Sequence, residues 1–299
     1  MYSEVAPFLL YSVSSVHVGS GSELGVVDLP IQRERHTGYP KIESSSLKGA
    51  IRAAFRRRET HGDKLVIAFG SEPGEDRDGK PVAAAVGFAD ARILLFPVRS
   101  LRGVFAFVTC PHVLTRFNYE LETYAPGYPL LPVPPANTVS SDLLQVAKED
   151  QIVLEEYTYE MAVDPITAEL GKRLDEIVFP TETARGRLAS RLAVLTDDQF
   201  GDFVQLSTEV NARIQLNPLT GTNENLWYEE NLPPETVLYS FVFAGAPRVE
   251  EVFEPMPEAG DVLAFVQDEE VFPPVFQLGG NSTLGRGMMR RIWLPKEGV

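Results

Sequence analysis

Ser44-Ser-Ser-Leu-Lys-Gly-Ala-Ile-Arg-Ala-Ala-Phe-Arg-Arg-Arg58 is the stretch on which the fold turns. Serine is a good helix N-cap, and Leu47, Ile51 and Phe55 follow at i, i+4 and i+8, so the segment predicts an amphipathic helix. Lys48, Arg52 and Arg56 repeat that spacing one residue on, placing a basic stripe beside the apolar one. Before it, residues 5–18 read as a strand, partly alternating and β-branched at its end. The intervening 19–43 mix Gly and Pro with few periodic apolar positions and predict a long ordered loop, a length that is usually functional or disordered. After the helix, strands are expected at 84–98 and 103–109, then a helix near 111–122. Five prolines between 126 and 135 mark an irregular insertion at about 124–138. Residues 165–206 read as mostly helical, with Asp197 capping a new helix. A hairpin over 209–233 precedes a strand at 236–243, and a glycine-rich loop over 277–287 leads into a final strand, Met288 to Leu294. The order strand, helix, strands, helix, strand predicts an α+β fold with a mainly antiparallel sheet, as one domain over 1–299.

The 299 residues are 44% hydrophobic and 23% charged, enough for a sizeable core. One cysteine, Cys110, excludes a disulfide framework and a cysteine-built zinc site, and reads as a small buried apolar residue. No apolar run approaches the roughly 18 residues of a membrane span, and the N-terminus lacks the basic start of a secretory signal. A reducing, cytoplasmic setting with no membrane partner is expected. The net charge of −15 argues against gripping naked nucleic acid by bulk charge. Its distribution is polar, however. Residues 31–64 carry nine basic groups against four acids, whereas 249–270 carry eight acids and no Lys or Arg. The acidic run reads as a solvated face, or as a face that meets a basic partner.

Gly280-Asn-Ser-Thr-Leu-Gly285 has Walker spacing, but Arg286-Gly287 stands where Lys-Ser/Thr is required, and a Rossmann pattern is missing. Nucleotide hydrolysis is therefore not expected. The loop offers backbone N–H groups, two hydroxyls and a guanidinium, which suit a polyanion backbone; its other reading is a tight turn. The segment 14–52 is the densest constellation, with His17, Ser20, Asp28, Arg33, Arg35, His36 and Lys41 ahead of the serine-capped helix. That helix start is a phosphate site by its free N–H groups, with Lys48 and Arg52 adding charge. Arg56, Arg57 and Arg58 have a plainer role in complementing the helix dipole. Asp28, between Val26-Val27 and Leu29-Pro30, reads first as a turn or cap aspartate and second as a chemical group. His17 is equally a core histidine or a general acid or base. No Ser-His-Asp spacing, HExxH or metal-ligand cluster occurs.

Three stretches together resemble the RAMP proteins of type III CRISPR effector complexes, in particular the Cas7-like fourth-subunit family of type III-B (Cmr) complexes. They are His17-Val-Gly-Ser-Gly21 running into Val27-Asp-Leu-Pro-Ile-Gln-Arg-Glu34, Pro40-Lys-Ile-Glu-Ser-Ser-Ser-Leu-Lys-Gly-Ala-Ile-Arg52, and Gly279-Gly-Asn-Ser-Thr-Leu-Gly-Arg-Gly287. Phe88-Ala-Asp-Ala-Arg-Ile-Leu-Leu-Phe-Pro-Val-Arg-Ser-Leu-Arg-Gly-Val-Phe105 is similar too. The resemblance runs from residue 10 to 287, and four stretches in this order are far more specific than the glycine motif alone.

The resemblance implies a modified ferredoxin-like (RRM-like) RAMP core with an inserted β-hairpin thumb, mapped to 209–233, and a C-terminal glycine-rich loop. Residues 19–43 become the catalytic loop. Copies would stack along a CRISPR guide RNA beside other Cmr-type subunits, each thumb splaying one base pair with the complementary target RNA at regular intervals. The catalytic aspartate falls on Asp28. Phosphate-gripping positions fall on Ser45, Ser46 and Lys48, with Arg52 beyond, and on Gly279, Gly280, Asn281, Ser282, Thr283, Gly285, Arg286 and Gly287. The implied chemistry is metal-dependent endoribonuclease cleavage by the ribose 2′-OH, leaving a cyclic phosphate. Asp28 would hold a divalent cation, Mg²⁺ or Mn²⁺, or orient the 2′-OH. His17, Tyr228 and Glu229 are helper candidates, and Arg33 and Arg35 would neutralise the phosphate. The rival is a non-catalytic structural RNA-binding backbone subunit. A guide-processing nuclease would call for a histidine near the glycine-rich loop, and none lies beyond His112.

Overall fold

The computed structural model describes residues 2–22, 25–56, 62–73, 80–146, 150–181, 183–249 and 251–296. Arg57, Arg58, His61 and Glu250 lie outside the described residues. β1 (Glu4–Ser12) is buried from Ala6 to its end, so it reads as a nearly continuous apolar run, the signature of a strand covered on both faces. It also lies inside the sheet, with a partner strand at each edge. β1 pairs antiparallel with β7 (Val237–Ala244) on one side and β9 (Met288–Trp293) on the other. β7 in turn pairs antiparallel with β2 (Ala91–Arg99), which pairs with β3 (Phe105–Thr109). β4 (Leu192–Val194) joins β3 in parallel, and β8 (Val275–Gln277) closes the other edge against β9. Short strands extend this into an eleven-stranded mixed sheet.

Register decides which helix covers which face. Leu9 is opposite Tyr239 and Phe8 opposite Ser240, so Phe8 and Tyr239 point to opposite sides. Tyr239 and Phe241 pack edge-to-face on Phe117 and Tyr124 of α3 (Pro111–Tyr124). On the Phe8 side a chain of rings runs through Phe88 and Phe69 to Phe55 and Phe265. Phe55, Phe69 and Phe265 belong to α1 (Ser44–Arg56), α2 (Gly62–Phe69) and α6 (Ala259–Gln267), and Phe88 to a short strand, Val86–Phe88. Two more helices, α4 (Pro165–Val178) and α5 (Asp197–Leu206), flank the insertions. The fold is α+β, as expected. β5 (Glu209–Leu216) and β6 (Asn223–Asn231) form a separate hairpin whose outer part is exposed and whose base, Glu229 to Asn231, is buried.

Several boundaries differ from expectation. β1 stops at Ser12 rather than running to 18, because Ser12 Oγ turns back onto the Pro233 carbonyl and Ser14 Oγ takes the Met288 amide. The strand expected at 84–98 breaks at Ala89-Asp90, where the Asp90 carboxylate receives the Ser44 amide and Lys41. Residues 165–206 are not one helical stretch. Asp175, buried in α4, accepts the amides of Gly186, Leu188 and Ala189 and so turns the chain back into β4. The cap of α5 is Thr196, in a capping box with Gln199, and not Asp197. The acidic run contains α6, whose apolar face is buried while all its described acids remain exposed.

Candidate functional site

α1 shows three faces. Leu47, Ile51 and Phe55 enter the core. Ser45, Ser46, Gly49 and Ala53 border a groove of about 630 Å³ whose other wall includes His17 and Gly280. Lys48 is two residues, hence about 160°, round from Ser46, and its stripe faces away from the groove. Lys48 Nζ donates to the Val86 carbonyl (3.2 Å), and burial first, then Arg52, holds its pKa below the usual lysine value. Arg52 is buried, donating to the Gly70 carbonyl and pairing with Glu72, which also takes Arg56. The helix start is tied down on its other side. Gln32 accepts the Glu43 amide (2.7 Å) and donates to Ser46 Oγ (3.2 Å), and Asp90 accepts the Ser44 amide.

The glycine-rich loop packs on the chain that leaves β1. The Gly280 amide donates to the His17 carbonyl and the Gly287 amide to that of Ser15, each at 2.9 Å. A Cβ at 279 would stand 2.3 Å from the His17 oxygen, and one at 287 would stand 2.0 Å from the Leu278 oxygen; both residues have positive φ. These two glycines are therefore required by contact, whereas Gly285, also at positive φ, has open space around it. Ser282 and Thr283 are exposed at the tip. Asn281 and Arg286 point inward to Glu229, at 2.6 and 2.9 Å, and Arg286 also reaches Asn231.

Asp28 is half-buried, and its Oδ2 accepts the Tyr228 amide at 2.7 Å. Around it Leu29 donates to the Tyr228 carbonyl and accepts from Glu230, a parallel bridge that lays the loop along the base of β6. Strand alternation then sends Glu229 and Glu230 to opposite faces. Glu229 holds the glycine-rich loop. Glu230, 6% exposed, holds the Asp28 loop through the Ile31 amide (3.0 Å) and Arg33, and Thr208 Oγ1 donates to it as well. Arg33 also donates to the Gly38 and Val204 carbonyls, so its guanidinium is occupied, while Arg35 is exposed. His17 Nδ1 lies 2.7 Å from the Glu230 carbonyl; a carbonyl only accepts, so Nδ1 carries the proton. Asp28, His17, Tyr228, Glu229 and Arg33 thus converge on one strand base, and Ser45, Ser46, Gly279 and Gly280 on the adjoining groove.

Among the described residues no three His, Cys, Asp or Glu side chains form a metal cluster. Asp28 has one carboxylate oxygen, Oδ1, left among the described residues, and Glu229 and Glu230 are spent on ion pairs. A cation resident on protein ligands alone does not fit. Sequence reasoning missed Glu230, Gln32 and Asp90. The first had a signal: two consecutive acids in a strand must face opposite ways. The other two act through contacts that no local pattern announces.

A family model described as the RAMP superfamily matches residues 9–290. The chain belongs to the RAMP superfamily. Within it, the chain is 37% identical over 285 residues to the protein called CRISPR system Cmr endoribonuclease Cmr4 of Pyrococcus furiosus, covering 94% of this chain and 92% of that one. The crystal structure of oligomeric Cmr4 from that organism superposes with a TM-score of 0.70 at 29% identity, over 97% of both chains. A chain in the cryo-EM structure of the Type III-B Cmr-beta bound to cognate target RNA gives 0.73 at 22% identity over 98% of both, a likeness of fold.

Proposed function

We propose that this RAMP chain is the guide-RNA-binding backbone subunit of a type III-B CRISPR complex, and the endoribonuclease that cuts the complementary target RNA. The 37% identity to a Cmr endoribonuclease over nearly the whole chain supports the class. The observation that carries the site is Asp28: a carboxylate pinned by one oxygen to the hairpin base, with the other oxygen free of a partner among the described residues. β2, β7, β1 and β9 lie side by side as the second, third, first and fourth strands of a modified ferredoxin-like core, with α1 and α6 as its crossover helices. The hairpin is read as the thumb, since its outer part exposes Ile214, Leu216 and Leu219 away from the body. Copies of the chain stack along the guide, a reading favoured by the oligomeric form of the 29%-identical relative.

The chemistry follows from the one Asp28 oxygen that the Tyr228 amide does not occupy. A thumb that splays one nucleotide frees the neighbouring ribose to line up its 2′ oxygen behind phosphorus, which stacking in a duplex forbids. Asp28 Oδ1 accepts the 2′-OH hydrogen bond and sets that line. The 2′ oxygen bonds to phosphorus, the P–O5′ bond breaks, and a 2′,3′-cyclic phosphate is left. The 2′ proton passes to Asp28 or to water, and solvent protonates the departing 5′ oxygen. Arg35, exposed on the same loop, is placed to offset phosphate charge. In the alternative role, Asp28 Oδ1 would instead hold a divalent cation, Mg²⁺ or Mn²⁺, together with RNA phosphate oxygens and water, and the cation would screen phosphate charge.

The test is a complex reconstituted with guide RNA, wild type beside Asp28→Ala, given labelled complementary RNA and Mg²⁺. Regularly spaced cuts that fall at least about a thousandfold in the variant, with target binding unchanged, are expected. Equal cutting by both would leave the chain a structural backbone and move the nuclease elsewhere.

A further inference from the structure

One acid beside the hairpin base binds more of the surrounding loops than any role in phosphate contact would require. Glu230 forms five hydrogen bonds to three separate segments. Its carboxylate accepts from the Ile31 amide, from Arg33 and from Thr208 Oγ1, its own amide donates to the Leu29 carbonyl, and its carbonyl accepts from His17 Nδ1. Thr208 sits where α5 passes into the hairpin, and residues 29–33 directly follow Asp28. Asp28 itself stands at the end of an exposed stretch, with Val26 92% exposed, so little packing holds it. What holds it is the amide of Tyr228 on one side and the Leu29–Glu230 contacts on the other.

We propose that Glu230 is a positioning residue that locks the Asp28 loop to the base of the hairpin, so that thumb and cutting carboxylate move as one body. The inference rests on Asp28 being the cutting residue. A buried carboxylate of this kind is held by charge-assisted bonds, and a neutral isostere cannot replace them all. An amide has one acceptor oxygen for three donors, and whichever way it turns its NH₂ faces a donor: the Ile31 amide in one orientation, Arg33 and Thr208 Oγ1 in the other. The lock would loosen while the hairpin, held by its own ladder from Glu209–Asn231 to Leu216–Asn223, stays formed. Displacing a reacting group by about 1 Å costs on the order of a hundredfold in rate. Loss of geometry at Asp28 should therefore appear in the cutting step and not in target binding.

Glu230→Gln in the reconstituted complex should slow single-turnover cutting by about 10- to 100-fold while target affinity stays within about twofold. Amide exchange should rise over residues 28–33 and stay unchanged over β1 and β7. Arg33→Met should also slow cutting, and adding it to Glu230→Gln should cost less than the product of the two single losses, since both break one pair. Cutting at the wild-type rate, exchange raised across the whole chain, or fully multiplicative losses would each overturn the lock. Failure of the cutting assignment has its own mark, undiminished cutting by Asp28→Ala. The exchange measurement still tests the lock in that case.

Discussion

A methyl group at position 279 would meet the His17 carbonyl oxygen at 2.3 Å, closer than any real contact, and at a φ of +84° that alanine avoids. At 285 the φ of +72° is equally unfavourable, but nothing lies within 4 Å. Gly279→Ala should therefore lower stability by at least about 2 kcal/mol, and Gly285→Ala by about 1 kcal/mol. Chemical denaturation of the two variants, compared at one temperature, measures the difference; equal losses would mean that conformation and not contact sets the requirement. The motif Gly279 to Gly287 is legible in the sequence as a special loop. Which glycines are required by packing is not, because the obstructing atom of Gly279 belongs to residue 17. The same holds for Arg33 and Arg286, whose charge is obvious and whose carboxylate partners, Glu230 and Glu229, lie 197 and 57 positions away in the chain.

Among elements, the loop before α1 and helix α3 are joined by a buried charge cluster. Glu34 accepts from Arg116 at 2.8 and 3.0 Å and from Thr37, and Arg92 bridges it to Glu120. Burial opposes ionisation of Glu34, but the Thr37 hydroxyl, Arg116 and Arg92 together hold its carboxyl below the usual range. A depressed acid contributes stability above its unfolded value, near pH 4.3, and loses it as pH falls through the folded value. Glu34→Gln should therefore cost about 3 kcal/mol at pH 7 by leaving Arg116 unpaired. That deficit against wild type should close as pH drops below about 4, a trend read from unfolding curves across pH. A deficit independent of pH would assign the loss to shape. The element itself, α1, was legible from its apolar period. Its basic stripe was legible as a stripe but not as a destination: Lys48 and Arg52 lie on the face turned from the groove and bond to Val86, Gly70 and Glu72.

At the scale of the whole molecule, a net charge of −15 coexists with a groove whose lining, among the described residues, carries no Lys, Arg, Asp or Glu. Backbone amides, Ser45, Ser46 and Gln32 would face the RNA there, which positions phosphates by hydrogen bonds more than by cations. Each neutralised phosphate of a single strand contributes about −0.7 to the slope of log K against log salt. Guide binding should then show a slope shallower than about −1.4 per copy, measured by titration across salt. A slope near −3 or steeper would place the RNA on a charged surface outside this groove. The exposed acids of 251–270 would keep such RNA off that end of the molecule.

The sequence by itself determined the α+β class, α1, the hairpin and the glycine-rich loop, because each is written in local period or in backbone constraints that only glycine meets, and it pointed to the family through the resemblance of its motifs. Tertiary structure alone decided where β1 ends, how the chain from Gly186 to Ala189 turns back toward the sheet, and which charges are free. Those depend on hydrogen-bond partners such as Pro233 for Ser12 and Glu230 for Arg33, brought together only when distant segments share one sheet edge.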